Sequence, residues 1–229
     1  MASIQAKLQQ VRQRIAAACA AADRPVQSVT LLAVGKTFDA GTLREAASCG
    51  QRAFGENYVQ EALAKIDALA DLRASLQWHL IGPLQSNKTR EVAAAFDWVH
   101  SVDRLKVAER LSAQRPADLA PLQVCLQVNI DAEASKHGVA PDELPALARA
   151  VAALPRLSLR GLMAIPAPRA GLAAQREPHR RLRERFEALK AGGLTLDTLS
   201  IGMSEDLEAA ILEGATIVRI GSAIFGPRA

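Results

Sequence analysis

The sequence predicts a (β/α)8 barrel of the TIM type with an extra N-terminal helix, and three observations carry this prediction. Eight short apolar runs alternate with helix-like stretches along the 229 residues. The runs recur at intervals of roughly 20–40 residues, the size of a βα unit. Most of them are nearly continuously apolar, as parallel strands buried on both faces should be. No Gly- or Pro-rich linker interrupts the pattern, so we expect a single barrel domain over 1–229, with a leading helix over 1–25.

The leading segment, MASIQAKLQQVRQRIAAACAAADRP, is amphipathic. Ser3 is placed to cap a helix that ends near Pro25. One helical face carries Ile4, Leu8, Val11 and Ile15. The scarcity of acids is also typical of a mitochondrial transit peptide. We favour a helix packed on the domain, because the apolar stripe leads into the first strand without a linker.

The predicted strands lie in eight segments, in the order VTLLAVGK, RAFGEN, QWHLIG, DWVHSVD, QVCLQVNI, LRGLMAIP, DTLSIGMS and TIVRIGSAIFG. The predicted helices between them are AGTLREAASCG, NYVQEALAKIDALADL, NKTREVAAAF, RLKVAERLSAQ, PDELPALARAVAALP, HRRLRERFEALKAG and SEDLEAAILEG. Several close on glycine, the usual residue after a helix C-terminus. An open doubly wound sheet is the alternative, but such a sheet usually has a G-x-G-x-x-G turn after the first strand, and AVGKTFDAG does not contain one. The GKT of the same segment is not a P-loop, because the earlier glycine of that motif is missing.

Composition excludes several classes of function. The three cysteines are scattered and fit no metal spacing, which favours reduced thiols and a cytoplasmic location. No apolar run is long enough to span a membrane. Aromatic residues make up only 3% of the chain, so a nucleic-acid interface is disfavoured. We read His79 and His100 as core histidines, and we assign no metal.

In such barrels the active site lies at the carboxyl ends of the strands. A lysine there either pairs with an anion or forms a Schiff base, and a nearby cation or poor solvation favours the second. The loops after the last two strands favour phosphate, and we expect Ser204 to cap the helix that follows it. This pattern leaves pyridoxal phosphate chemistry and a sugar-phosphate enzyme equally open. The residues that converge on this mouth are Lys36, Asn57, Met203, Ser204, Arg219, Gly221 and Ser222.

Six segments resemble the pyridoxal phosphate homeostasis protein family, a single-domain relative of alanine racemase. They are LLAVGKT, FGENYVQEALAK, WHLIGPLQSNK, VHSVDRL, GLMAIP and LSIGMSEDLEAAILEGATIVRIGSAIFG. The resemblance runs in order over nearly the whole chain. It implies a barrel that holds pyridoxal 5′-phosphate as a Schiff base on Lys36, with Arg219 facing the pyridine nitrogen and Asn57 beside the ring. It also implies phosphate contacts from Ser200, Ser204, Gly221 and Ser222.

The resemblance also implies a carrier for intracellular vitamin B6 and amino-acid homeostasis, with no catalytic residue assigned. An arginine at the ring nitrogen weakens the electron sink that most such enzymes need. A weak amino-acid racemase is the alternative, but we expect no added β-domain, and the only tyrosine is Tyr58. Apo-enzymes that need the cofactor are the expected recipients, and a monomer is the expected state. The roles of Lys88 and Arg90, and of the loop with Lys136 and His137, stay open.

Overall fold

The computed structural model describes residues 2–133 and 137–226, and its centre is a closed barrel of parallel strands in the order β1 to β8. Each strand pairs with the next in sequence, and β8 closes the barrel on β1. The predicted barrel is confirmed. The strands are β1 Thr30–Val34, β2 Ala53–Glu56, β3 Gln77–Leu80, β4 Trp98–Val102, β5 Leu122–Gln127, β6 Leu157–Met163, β7 Thr198–Ser200 and β8 Ile217–Ile220.

Helices connect the strands on the outside of the barrel. Most strand residues are buried, because side chains on one face of the sheet fill the barrel interior and those on the other face are covered by helices. The helices are α1 Ile4–Ala21, α2 Ala40–Ser48, α3 Val59–Ala68, α4 Thr89–Ala95, α5 Leu105–Gln114, α6 Leu144–Ala152, α7 Leu172–Ala191, α8 Leu207–Leu212 and α9 Ser222–Phe225.

Helix α1 is the extra N-terminal helix. The Ser3 side chain accepts a hydrogen bond from the Ala6 amide at 3.2 Å, as predicted for an N-cap. Leu8, Val11 and Ile15 are buried in the main apolar core. The helix packs against α8 and α9, so it lies behind the segments that follow β7 and β8.

Helix α7 is longer than the sequence predicts. We expected it to begin at His179, but it begins at Leu172 and includes Pro178. Proline cannot donate to the carbonyl one turn earlier, so the helix loses one backbone bond there. Pro178 is buried together with His179 and Leu182 on the inner face of the helix.

The segment before α8 also differs from expectation. Ser204 was predicted to cap this helix, but α8 begins at Leu207 and its N-cap is Asp206. The Asp206 carboxylate accepts a hydrogen bond from the Met203 amide at 2.6 Å and therefore closes the turn over residues 203–206. Ser204 is left within this turn, with its side chain half-buried. None of the described helices is long and apolar enough to cross a membrane.

Candidate functional site

The carboxyl ends of the strands form one mouth, and most of the predicted site residues lie there. Lys36 follows β1 and Asn57 follows β2. Met203 and Ser204 follow β7, while Gly221 and Ser222 follow β8. The closing pair of strands, β1 and β8, brings the segment of Lys36 next to the segment of Gly221. A Cβ atom on Gly221 would lie 3.3 Å from the Val34 carbonyl oxygen, so these two segments approach closely.

Arg219 lies on β8 with its guanidinium buried inside the barrel. Its Nη1 donates to the Ser200 carbonyl oxygen and, at 2.8 Å, to the Ser200 hydroxyl. Its Nη2 donates to the Ala164 carbonyl oxygen at 2.9 Å. Burial lowers the pKa of Arg219 to about 10, which leaves the side chain a cation at neutral pH.

The Ser200 hydroxyl connects Arg219 to two histidines. It lies 2.8 Å from Nδ1 of His100, and Nε2 of His100 lies 2.9 Å from Nδ1 of His79. Burial lowers the pKa of His79 to about 3. Burial also lowers the pKa of His100, with His79 and Arg219 adding to the effect. Both imidazoles are therefore neutral. This series of hydrogen-bonded side chains ends at Nε2 of His79, which is buried without a hydrogen-bond partner.

This chain of four side chains was missed in the sequence. We treated the two histidines separately as core residues, which agrees with their burial. Only barrel closure brings residue 100 to residue 200, so no local motif could reveal the contact. The structure also places Ser200 inside the barrel, where its hydroxyl contacts Arg219. The phosphate contact that the resemblance implies for Ser200 stays a prediction.

The backbone on both sides of Lys36 is fixed by α3. The Gly35 carbonyl oxygen accepts a hydrogen bond from the Lys65 ammonium at 2.7 Å. The Thr37 amide donates to the Glu61 carboxylate at 2.7 Å. Thr37 has a φ of 69°, a left-handed conformation that is unfavourable for a β-branched residue. The Lys36 side chain is half-buried at this turn.

Lys65 also forms a buried ion cluster with two carboxylates. Its Nζ lies 2.9 and 3.0 Å from the two oxygens of Glu56 and 2.6 Å from Oε1 of Glu61. The Glu56 side chain is fully buried, and that of Lys65 is 6% exposed. Burial raises the pKa of Glu56 to about 7, although the neighbouring ammonium opposes the shift. We did not predict this cluster from the sequence; the i,i+4 spacing of Glu61 and Lys65 was the available signal.

Hydroxyl and amide groups surround the other side of the mouth. The Oγ atoms of Ser204 and Ser222 lie 3.5 Å apart, and Ser222 is exposed. Ser222 begins α9, so backbone N–H groups without helical partners lie beside it. This donor set suits an anion with several oxygens.

Two contacts from outside the mouth hold the turn that contains Ser204. Nη2 of Arg14, on α1, donates to the Ser204 carbonyl oxygen at 2.9 Å, and the same side chain pairs with Glu208. Nε2 of His179 lies 2.9 Å from the Asp206 carboxylate. Burial disfavours ionisation of Asp206, but hydrogen bonds from His179 and the Met203 amide outweigh it and lower the pKa.

Asn57 carries an unsatisfied polar atom at the mouth. Its Oδ1 is buried without a hydrogen-bond partner. The backbone of Asn57 packs directly on Gly82, where a Cβ atom would lie 2.1 Å from the Asn57 carbonyl oxygen. An unpaired buried acceptor is costly, so this amide is a natural place for a ligand contact.

The remaining sequence candidates give less information. The Lys88 ammonium pairs with Glu91 at 3.3 Å. The His137 carbonyl oxygen accepts a hydrogen bond from Gln127, whereas Lys136 lies outside the described residues. Within 2–133 and 137–226, no group of His, Cys, Asp and Glu side chains is arranged to hold a metal ion.

Comparison with known proteins finds one group of relatives along nearly the whole chain. The family model for the alanine racemase N-terminal domain matches residues 6–229. The pyridoxal phosphate homeostasis protein of Pseudomonas aeruginosa is 60% identical over 228 residues, covering 100% of this chain and 97% of that protein. The protein of the same name from Escherichia coli K12 is 54% identical over 229 residues, covering 100% and 98%.

Solved structures agree with the architecture. PipY of Synechococcus elongatus with PLP bound is 38% identical, with a TM-score of 0.86, over 98% of this chain and 100% of that chain. An alanine racemase of Corynebacterium glutamicum is 18% identical, with a TM-score of 0.67, over 98% of this chain and 60% of that chain. The second similarity concerns the fold alone.

Proposed function

The chain belongs to the pyridoxal phosphate homeostasis protein family, within the larger group that shares the alanine racemase N-terminal domain, and from this membership we propose that it binds pyridoxal 5′-phosphate at the mouth of its barrel. When bound, this cofactor supplies an aldehyde that condenses with amines and a ring that withdraws electrons. The observation that carries the proposal is the arrangement of an amine, a cation and a hydroxyl pair around one mouth, at Lys36, Arg219 and Ser204 with Ser222.

The residues at the mouth fit this cofactor. Lys36 provides the amine for covalent attachment. The hydroxyls of Ser204 and Ser222, with the N–H groups at the start of α9, suit a phosphate, and Gly221 and Met203 complete that side. The unpaired Oδ1 of Asn57 gains a partner from a ligand that fills the mouth.

Arg219 favours a carrier over a catalyst. Its guanidinium remains charged at neutral pH and can only donate hydrogen bonds. A donor of this kind beside the ring nitrogen leaves that nitrogen unprotonated, which weakens the electron withdrawal that most enzymes with this cofactor use. The buried bonds to Ser200 and Ala164 hold the guanidinium in place.

The biological role that follows is cofactor homeostasis. The protein holds pyridoxal phosphate and delivers it to apo-enzymes that need it, which keeps the free aldehyde low. A weak racemase activity would need a second acid or base near Lys36. Tyr58 is the only tyrosine in the sequence, and it is 60% exposed at the start of α3. A side chain this exposed is poorly placed to act as an acid or base on a ligand inside the mouth, so the carrier is the better supported function.

The test is an absorbance spectrum of the purified protein loaded with pyridoxal phosphate. The wild type should show the near-visible band of an attached cofactor, and borohydride followed by peptide mapping should place the adduct on Lys36. The variant Lys36→Ala should lack both. Lys106→Ala, which removes an exposed lysine near the start of α5, is the matched control and should keep both. A wild type that takes up no cofactor in excess, or an adduct on another lysine, contradicts the proposal.

A further inference from the structure

We propose that Lys65 and Glu61 are positioning residues for Lys36, acting by fixing the two peptide groups that flank it. The inference rests on the proposed function, because it assigns these residues a purpose in cofactor attachment. Lys65 donates to the Gly35 carbonyl oxygen at 2.7 Å, and Glu61 accepts from the Thr37 amide at 2.7 Å. One cluster on α3 thus holds the chain immediately before and immediately after Lys36.

The hydrogen bonds of the Lys65 ammonium are fully used by the cluster. An ammonium has three N–H donors. Its acceptors are the Gly35 carbonyl oxygen, the Glu56 carboxylate and the Glu61 carboxylate, all within 3.0 Å. Lys65 itself is therefore an unsuitable attachment point for an aldehyde, since its three N–H groups are already donated to these acceptors. Any effect of Lys65 on cofactor attachment must therefore act through the groups that it binds.

A gain in stability alone is a poor explanation for this cluster. Burying an ion pair costs desolvation, and an apolar pair of similar size often serves stability as well or better. What apolar side chains cannot do is bind a carbonyl oxygen and an amide at defined positions. The contacts to Gly35 and Thr37 are of that kind.

The conformation of Thr37 supports the same conclusion. Its φ of 69° is rare for a β-branched residue and persists only where the surroundings enforce it. The bond from the Thr37 amide to Glu61 is a direct constraint on that residue. Without it, the turn would relax and Lys36 would lose its fixed direction. Attack of an amine on a bound aldehyde depends strongly on such orientation.

The experiment uses Glu61 rather than Lys65. Lys65→Met would leave the fully buried Glu56 carboxyl without its bonds to Lys65, a loss large enough to threaten folding. The Glu61 side chain is 31% exposed, so Glu61→Ala should fold and keep the bonds of Lys65 to Glu56 and Gly35. Glu61→Gln retains an acceptor oxygen for the Thr37 amide and is the conservative rescue. Glu91→Ala, which removes a helix-surface ion pair with Lys88, is the matched control.

Two readouts are required, one of them without cofactor. Amide hydrogen exchange of the cofactor-free protein should speed up about tenfold at residues 37–39 in Glu61→Ala, as expected for losing one charge-assisted hydrogen bond. The rate constant for attachment of pyridoxal phosphate to Lys36 should fall by a similar factor of about ten. Glu61→Gln should restore both to within about threefold, because a neutral acceptor bonds less strongly than a carboxylate. Glu91→Ala should leave both unchanged.

The outcomes separate this inference from the proposed function. Unchanged exchange in Glu61→Ala overturns the inference, because the Thr37 amide would then not depend on Glu61. Faster exchange with an unchanged attachment rate also overturns it, because the turn would be held without benefit to Lys36. If the wild type attaches no cofactor, the proposed function fails, while the exchange data still report whether the cluster holds the turn.

Discussion

Ser200 and Arg219 meet inside the barrel, with the serine Oγ 2.8 Å from Nη1 of the guanidinium. The same Oγ lies 2.8 Å from Nδ1 of His100, so one hydroxyl joins the cation to a neutral imidazole. Since Ser200 ends β7 and Arg219 lies on β8, the contact spans two adjacent strands just below the mouth. The orientation of the Arg219 guanidinium thus depends on Ser200 and His100 inside the barrel as well as on the position of β8.

Ser200→Ala should destabilise the protein even without cofactor. The change leaves Nδ1 of His100 without the Ser200 hydroxyl and removes one of the acceptors of Arg219, at a cost of about 1–3 kcal/mol for buried polar groups. Ser204→Ala, at the more exposed turn, should leave stability within about 0.5 kcal/mol and weaken cofactor binding. Urea unfolding of both cofactor-free variants provides the comparison. Equal stability of the two variants would mean that the Ser200 hydroxyl has no structural role.

Arg14→Met should weaken cofactor binding although Arg14 lies on α1, outside the barrel. Its guanidinium donates to the Ser204 carbonyl oxygen and pairs with Glu208, so it supports the turn proposed for the phosphate. The side chain is 38% exposed, so solvent limits the effect, and we expect a two- to fivefold higher Kd, or about 0.5–1 kcal/mol. Titration of apo-protein with pyridoxal phosphate measures it.

Arg12→Met is the matched control for this prediction. Arg12 lies on the same helix and donates to the Cys49 carbonyl oxygen, away from the turn that contains Ser204. Its substitution should leave the Kd unchanged. A similar weakening in both variants would show that α1 acts through general stability rather than through the contact with Ser204.

The sequence predicted the barrel well because its signal is simple. Parallel strands covered on both faces appear as apolar runs, and each of the eight runs overlaps an observed strand, although β5 and β6 begin one and two residues before their runs. Positions at strand ends then follow from topology alone. This is why Lys36, Asn57 and Ser222 could be placed at one mouth without a structure.

The contacts that support the mouth were less accessible to sequence reasoning. The link from His100 to Ser200 joins residues 100 positions apart and exists only because the barrel closes. The ends of helices were ambiguous for a different reason. Ser204 and Asp206 are both good N-cap residues by type, and the backbone, which becomes helical only at Leu207, places the cap at Asp206.

Asp206→Asn should reduce stability at neutral pH but not in acid. The folded-state pKa of Asp206 lies below the ordinary value of 3.8, because hydrogen bonds from His179 and the Met203 amide outweigh burial. A lowered carboxyl pKa adds stability above the unfolded pKa, and this is lost as pH falls through the folded pKa. We expect a deficit of about 1–2 kcal/mol at pH 7 that shrinks below about pH 4.

Urea unfolding of the cofactor-free protein at several pH values between 7 and 3 tests this prediction. Asp118→Asn, at an exposed loop position, is the control and should match the wild type throughout. If the loss of unfolding free energy in Asp206→Asn stays constant down to pH 3, the effect comes from the altered hydrogen-bonding geometry of the amide and not from the lost carboxylate charge.

Gly82→Ala should disturb the Asn57 side of the mouth. A Cβ atom at residue 82 would lie 2.1 Å from the Asn57 carbonyl oxygen and 2.7 Å from its Cα, both backbone atoms that cannot rotate away. The backbone after β2 must shift, which displaces the Asn57 amide proposed to lie beside the ring. We expect about 1–3 kcal/mol lower stability and at least about tenfold weaker cofactor binding, as overpacking against backbone and lost alignment imply.

Gly41→Ala provides the comparison for Gly82, because it adds the same methyl group near the same end of the barrel. The added Cβ would lie 3.5 Å from the Asp39 carboxylate, an ordinary contact, and the position is helical. Stability should therefore stay equal or rise by up to about 1 kcal/mol, since alanine favours a helix over glycine. Cofactor titration and urea unfolding of both variants decide the matter. If Gly82→Ala binds cofactor as tightly as Gly41→Ala, the position of Asn57 does not matter for binding, and its unpaired Oδ1 must have another explanation.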